Sequence, residues 1–111
     1  MTKTTYDYLL IMRAAASSII MAATGEDPER YKRDALHYKA AAEAIRAKAA
    51  ADITAADEIE RRLNIALANL GDRYDTANPG AALTYGTQAA QLIMNVYAAA
   101  KDAENNGNAE E

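Results

Sequence analysis

Apolar positions crowd the first quarter of the chain more densely than anywhere else. The stretch from Tyr8 to Ala23 reads YLLIMRAAASSIIMAA, and Arg13 is its single charge. At 3.6 residues per turn, Tyr8, Met12, Ala15, Ile19 and Ala22 fall on one stripe, with Leu9, Ala16, Ile20 and Ala23 on a second beside it. Leu10, Ile11 and Met21 widen the arc, leaving Asp7, Ser17 and Ser18 as the polar strip. A helix that is apolar almost all round has to be covered on several sides. The pattern predicts the central helix of a bundle, or half of a subunit interface. A membrane span takes about 20 apolar residues, whereas this run is shorter, Ala-rich and broken by Arg13. A signal peptide would use Lys3 as its charged region and Met21-Ala22-Ala23 before the cleavage point, and Asp7 and Arg13 fit that plan poorly. The expectation is a cytoplasmic chain with no membrane partner.

Helix ends are marked by local chemistry. Thr4 or Thr5, with Asp7 three residues after Thr4, resembles a capping box at the start of the first helix, and Gly25 is a stop signal. Asp27-Pro28 reads as N-cap followed by proline at the first helical position. The second helix is expected from Pro28 to about Ala51. Its seam of Tyr31, Ala35, Tyr38, Ala42, Ile45 and Ala49 alternates steps of four and three, as in coiled coils. Asp52-Ile53-Thr54 is expected to break the helix, with Thr54 and Asp57 forming a second capping box; one continuous helix from Pro28 to Leu70 is the competing reading. The third helix carries Ile59, Leu63, Ala66, Leu67 and Leu70 on one face and stops at Gly71. After a polar connection from Asp72 to Ala77, Asn78-Pro79 repeats the earlier start signal. The fourth helix is expected to reach about Asp102, with Ala82, Tyr85, Ala89, Leu92, Ile93 and Val96 toward the core. This gives one domain over residues 1–103 and a disordered acidic tail, ENNGNAEE, over 104–111. Ala35, Leu36, Tyr38, Ala42 and Ile45 echo Ala82, Leu83, Tyr85, Ala89 and Leu92 at an offset of 47.

Charge sharpens the arrangement. Residues 28–51 carry a net charge of +3 and residues 52–78 a net charge of −3. Lys32, Lys39 and Arg46, spaced by seven, are therefore expected near Asp57, Glu58 or Glu60 of an antiparallel neighbour. By contrast, residues 14–25 and 76–100 hold no charge at all. Even the polar positions Thr84, Thr87, Gln88, Gln91 and Asn95 are neutral. Charged residues are depleted from interface cores, which marks the first and fourth helices as a candidate subunit or partner surface.

Composition adds a reason for self-association. Among 111 residues there are 28 Ala, 17 Leu, Ile and Val together, no Phe and no Trp. Burying a large aliphatic side chain gives about 1.5–3 kcal/mol, while ordering each residue costs about 1–2 kcal/mol of backbone entropy. So lean a core is helped by a second copy, and a homodimer is expected. The absence of cysteine rules out disulfides, thiolate metal sites and Cys nucleophiles, and it fits a reducing compartment.

Candidate chemistry is sparse. His37, the only histidine, follows Asp34 by three residues; in di-iron bundles a Glu-x-x-His pair recurs on two helices, but here a dimer would have to supply the second pair. Asp57, Glu58 and Glu60, with Glu43, resemble the acidic clusters of all-α nucleotide pyrophosphohydrolases. That resemblance implies a helical bundle holding Mg²⁺ through paired Glu-x-x-Glu and Glu-x-x-Asp signatures. Asp57 and Glu60 stand three apart, and no second acidic pair faces them. Tyr31, Lys32, Arg33, His37, Tyr38 and Lys39 interleave aromatic and basic side chains as single-stranded nucleic-acid surfaces do. With a chain charge of −4 and the tyrosines on the seam, nucleic acid is not the expected partner.

The sequence thus predicts an all-α, antiparallel three- or four-helix bundle of Ala-rich helices, dimeric, with no catalytic, cofactor or metal site. Its function is expected to be a non-enzymatic protein–protein interaction module, an adaptor or an inhibitor such as phages direct at host complexes. The partner is another protein, with the interface at Met12, Ile19, Ile20, Tyr85, Gln88, Leu92, Ile93 and Val96. The alternative is a Mg²⁺-dependent bundle enzyme acting on a nucleotide.

Overall fold

The computed structural model describes residues 3–25, 27–49, 55–71 and 78–110. They form four α-helices and, among the described residues, no strand: α1 (Lys3–Thr24), α2 (Pro28–Ala49), α3 (Ala56–Leu70) and α4 (Pro79–Glu110). The protein is all-α.

The two proline starts work as read. Asp27 Oδ1 accepts the Arg30 backbone N–H at 3.2 Å, and Asn78 Oδ1 accepts that of Ala81 at 3.2 Å. Each satisfies one of the donors a helix start leaves open. Thr4 and Thr5, by contrast, do not cap α1: the helix is already formed at Lys3, and Thr5 is fully buried inside it. At α3 the N-cap is Ala55, with no side-chain cap bond; the expected capping box rests on Thr54, outside the described residues, and Asp57 pairs with Arg46. Residues 52–54 and 72–77 lie outside the described residues. α2 and α3 are separate elements, which removes the single-helix reading. α4 continues to Glu110, past the expected end near Asp102 and through most of the segment read as a disordered tail. Once a helix is nucleated, each added residue costs little, and a lone Gly107 costs only about 1 kcal/mol.

Two glycines are demanded by geometry. Gly71 ends α3 with φ 70°, a left-handed value that side chains resist. Gly25 turns the chain out of α1, where a Cβ would sit 2.5 Å from the Met21 carbonyl oxygen.

α1 is the central element. It packs along α2 and α4 and also touches α3, while α3 packs on α4. Tyr8, Leu9, Met12, Ala15, Ala16 and Ile19 are fully buried, meeting Ala35 and Ala42 of α2, Ile59, Leu63 and Ala66 of α3, and Ala82, Ala89 and Ile93 of α4 in one cluster. The sequence echo at an offset of 47 now has a physical content. Ala35 and Ala42 on α2, and Ala82 and Ala89 on α4, are all fully buried, and small side chains seven residues apart let helices come close. Gly86 carries this further, since a Cβ there would stand 3.1 Å from Ile19 Cγ2 and 3.4 Å from Ile20 Cγ1.

α2 and α3 meet through long side chains. Lys32 Nζ donates to the Gly71 carbonyl at one end, and the Arg46 guanidinium donates to Glu60 and Asp57 at the other. These pairings run the two helices in opposite directions, and of the three cations expected near Asp57, Glu58 or Glu60 it is Arg46 that reaches them. Lys39, midway, stays on its own helix and pairs with Glu43 at 3.3 Å. The whole set of contacts is compatible with a bundle.

Candidate interaction surface

α1 is buried by neighbours on most of its circumference. One stripe is left: Leu10, Ala14, Ser17 and Met21, spaced at i, i+4, i+7 and i+11 so that they lie on one side of the helix. Leu10 is 49% exposed and Met21 44%. On α4 the adjoining edge is formed by Leu83, Thr87, Ala90 and Met94, of which Met94 is 38% exposed. A shallow groove between the two helices is lined by Leu9, Leu10, Arg13, Ile93, Met94 and Tyr97. At its far end the Tyr6 and Tyr97 rings meet edge to face at 5.3 Å, with the Lys101 ammonium 4.6 Å from the Tyr6 centroid. Sequence reading missed Tyr6, Tyr97 and Lys101, although Lys101 is the sole basic residue in 79–111.

The residues expected at an interface fall differently. Met12, Ile19 and Ile93 are buried in the chain's own core. Ile20, Tyr85, Gln88, Leu92 and Val96 are half-buried, and Gln88 accepts a hydrogen bond from Arg62 of α3. Their apolar character is spent holding α1, α3 and α4 together. The open stripe lies one step round each helix, at Leu10 and Met21 on α1 and at Leu83 and Met94 on α4.

The acidic cluster is closed by arginine. Arg46 donates to both Asp57 and Glu60, and Glu60 is only 8% exposed. Glu43 is held by Lys39. Glu58 is bracketed by Arg61 at 2.8 Å and Arg62 at 2.7 Å; hydrogen bonding from Arg61 first, and then from Arg62, pulls its carboxyl down to about 2. No group of three potential metal ligands comes together among the described residues. His37 is exposed, its ring 6.0 Å from that of Tyr38. The basic and aromatic side chains of α2 are similarly engaged, Arg30 over the Tyr31 ring and Lys32 on Gly71.

Beside this cluster the Tyr8 hydroxyl is buried with no hydrogen-bond partner. Burial pushes its pKa up to about 12 from the usual 10.0, with Arg46 opposing and Glu43 and Asp57 reinforcing the shift. The folded phenol keeps its proton where the unfolded one loses it, so folding is penalised only above pH 10 and progressively to about 12. Tyr8→Phe should therefore raise stability by about 1 kcal/mol at neutral pH, because an unpaired buried hydroxyl is removed. It should also lessen the extra loss above pH 10. Urea midpoints of both proteins at neutral and alkaline pH test this, and a destabilised Phe variant would mean that the hydroxyl has a partner.

α1 is also the described helix long and apolar enough, by length and composition, to cross a membrane. A core helix passes the same test, and Tyr8, Leu9, Met12 and Ile19 of α1 are fully buried in the core. No known protein family, curated protein or solved structure matches this chain.

Proposed function

We infer that the protein is a non-enzymatic protein–protein interaction module, a cytoplasmic helical bundle that meets other proteins through the low-charge face of α1 and α4. One observation carries the reading: the stripe of α1 that its neighbours leave open bears exposed Leu10 and Met21 beside exposed Met94, with Arg13 between Leu10 and the uncharged run 14–25, and with residues 76–100 of the α4 side uncharged as well. Solvated helix faces carry charges, whereas interface cores shed them. A protein with such a face acts by covering a partner's surface, as adaptors and inhibitors do. The engagement of Asp57 and Glu60 by Arg46 weighs against the Mg²⁺-dependent alternative.

A photo-reactive amino acid placed at Met94 should give protein adducts in cells, and the same group at Leu36, exposed on α2, should not. Equal labelling from both sites, or none from either, would sink the reading. Stabilisation by Mg²⁺ with a nucleotide would revive the enzyme.

A further inference from the structure

We propose that α2 is a strap: it detaches from the other three helices as one unit, salt favours its release, and its departure uncovers the Tyr8 side of α1. The inference goes beyond the interaction-module reading and does not depend on it, because Tyr8 and the open stripe at Leu10 lie on different sides of α1. Three observations point to the strap.

The first is how little apolar surface holds α2 down. Among the described residues α2 packs along α1 and barely touches α3 or α4, whereas α1 meets all three other helices and α3 packs on α4. The fully buried side chains of α2 are Ala35 and Ala42, while α3 encloses Ile59 and Leu63 as completely. Alanine lets α1 and α2 lie close together. A buried methyl nevertheless removes far less apolar area from water than a branched side chain does. The large core residues Leu9, Met12, Ile59, Leu63 and Ile93 all belong to α1, α3 and α4. Those three helices can keep their core while α2 is away.

The second is the edge between α2 and α3, which is spanned rather than filled. Lys32 donates to the Gly71 carbonyl, and Arg46 donates to Glu60 and Asp57. Between them Lys39 pairs with Glu43 of its own helix. The Asp57 side chain is 91% exposed, so counterions reach that half of the bridge. Residues 28–51 carry +3 against −3 for residues 52–78, and salt screens such an attraction. The α1–α4 seam is different, since residues 14–25 and 76–100 are uncharged and give salt little to screen. Salt therefore acts on the strap and spares the seam.

The third lies beneath that edge. The Tyr8 hydroxyl is buried without a hydrogen-bond partner, close enough to Arg46 and Glu43 of α2 to feel their charges. While α2 is in place this group forgoes the bonds that water would give it. With α2 away it regains them. The closed state is thus biased toward release by a polar atom under the strap.

Native-state hydrogen exchange on the full chain tests this, because it reads the opening of each helix separately. Amides of α2 should exchange through a smaller opening than the one that exposes α1, α3 and α4. Raising salt from about 0.05 M to about 1 M should speed α2 relative to α4 by about threefold or more. Arg46→Met should speed α2 by about thirtyfold or more, since it strands Glu60. Ile93→Val, a change in the α1–α4 core, should speed α1 and α4 by about two- to tenfold and leave α2 where it was. A single opening common to all four helices, moved as a whole by Ile93→Val, overturns the strap. An early α2 opening that responds neither to salt nor to Arg46→Met overturns it too, because release would not run through the charged edge. If Arg46→Met does not fold, the salt series on the parent and the Ile93→Val comparison decide.

Discussion

Ile19→Glu should leave the chain largely unfolded at room temperature, rather than turning an oligomer into a folded monomer. Ile19 is fully buried on α1, where its Cγ2 would stand 3.1 Å from a Cβ at Gly86. A carboxylate there has no cation within the cluster of Tyr8, Leu9, Met12, Ile59, Leu63 and Ile93 that forms the core. An unpaired buried charge together with lost packing belongs to the small class of substitutions that cost more than about 4–5 kcal/mol. A 111-residue domain has roughly 5–15 kcal/mol in total, and a core built so largely from alanine belongs at the low end. Far-UV circular dichroism and a urea titration give the answer, with Ile93→Glu, equally enclosed, as the companion. Met21→Glu supplies the contrast: the same charge on the open stripe of the same helix should leave helicity unchanged. Should Ile19→Glu stay soluble and folded, α1 is not the centre of the fold.

That contrast also measures how far the sequence could be read. The central position of α1 was legible, because no other stretch is apolar on so many sides. Which of its faces meets solvent was not. Periodicity gives the phase of each stripe but no means of ranking two apolar stripes against each other, so Met12 and Ile19 were expected at an interface although they form the core. The open stripe is the weaker one, in which Leu10 and Met21 flank Ala14 and Ser17. Ser17 and Ser18 were read together as polar strip, yet Ser17 is exposed and Ser18 buried. One residue is 100° of helix, enough to cross that boundary.

The helix starts at Pro28 and Pro79 were readable because N-cap chemistry is local: Asp27 and Asn78 need only their own next turn. The pairing of Arg46 with Asp57 and Glu60 was readable from opposite charge runs, a longer-range signal. The burial of Glu60 was not, since a carboxylate in the first turns of a helix ordinarily faces water. Its burial follows from Arg46, eleven to fourteen residues away, whose guanidinium reaches two carboxylates one turn apart on α3. This changes what a mutation means. Loss of stability in Glu60→Ala is expected here from the ion pair with Arg46 alone, with no metal needed to account for it.

The Arg46 bridge is the feature of greatest structural consequence outside the α1 core, and it makes a graded prediction. Arg46→Met should cost about 2–3 kcal/mol, because Glu60 is left enclosed without its partner, and stranding one member of a buried pair costs about 3–5 kcal/mol. The side chains are 29% exposed for Arg46 and 11% for Glu60, which places the effect below that range. Glu60→Met should cost less, about 1 kcal/mol, since Arg46 retains Asp57 and reaches water. The double variant Arg46→Met/Glu60→Met should recover most of the loss, as apolar replacement of a buried pair is often neutral or stabilising. Urea midpoints of the four proteins form a cycle whose coupling energy isolates the bridge. Additive single effects would mean that the guanidinium is solvated rather than paired. A strong coupling would establish that α2, whose fully buried side chains among the described residues are Ala35 and Ala42, is fastened to α3 by charge across a seam its alanines do not fill.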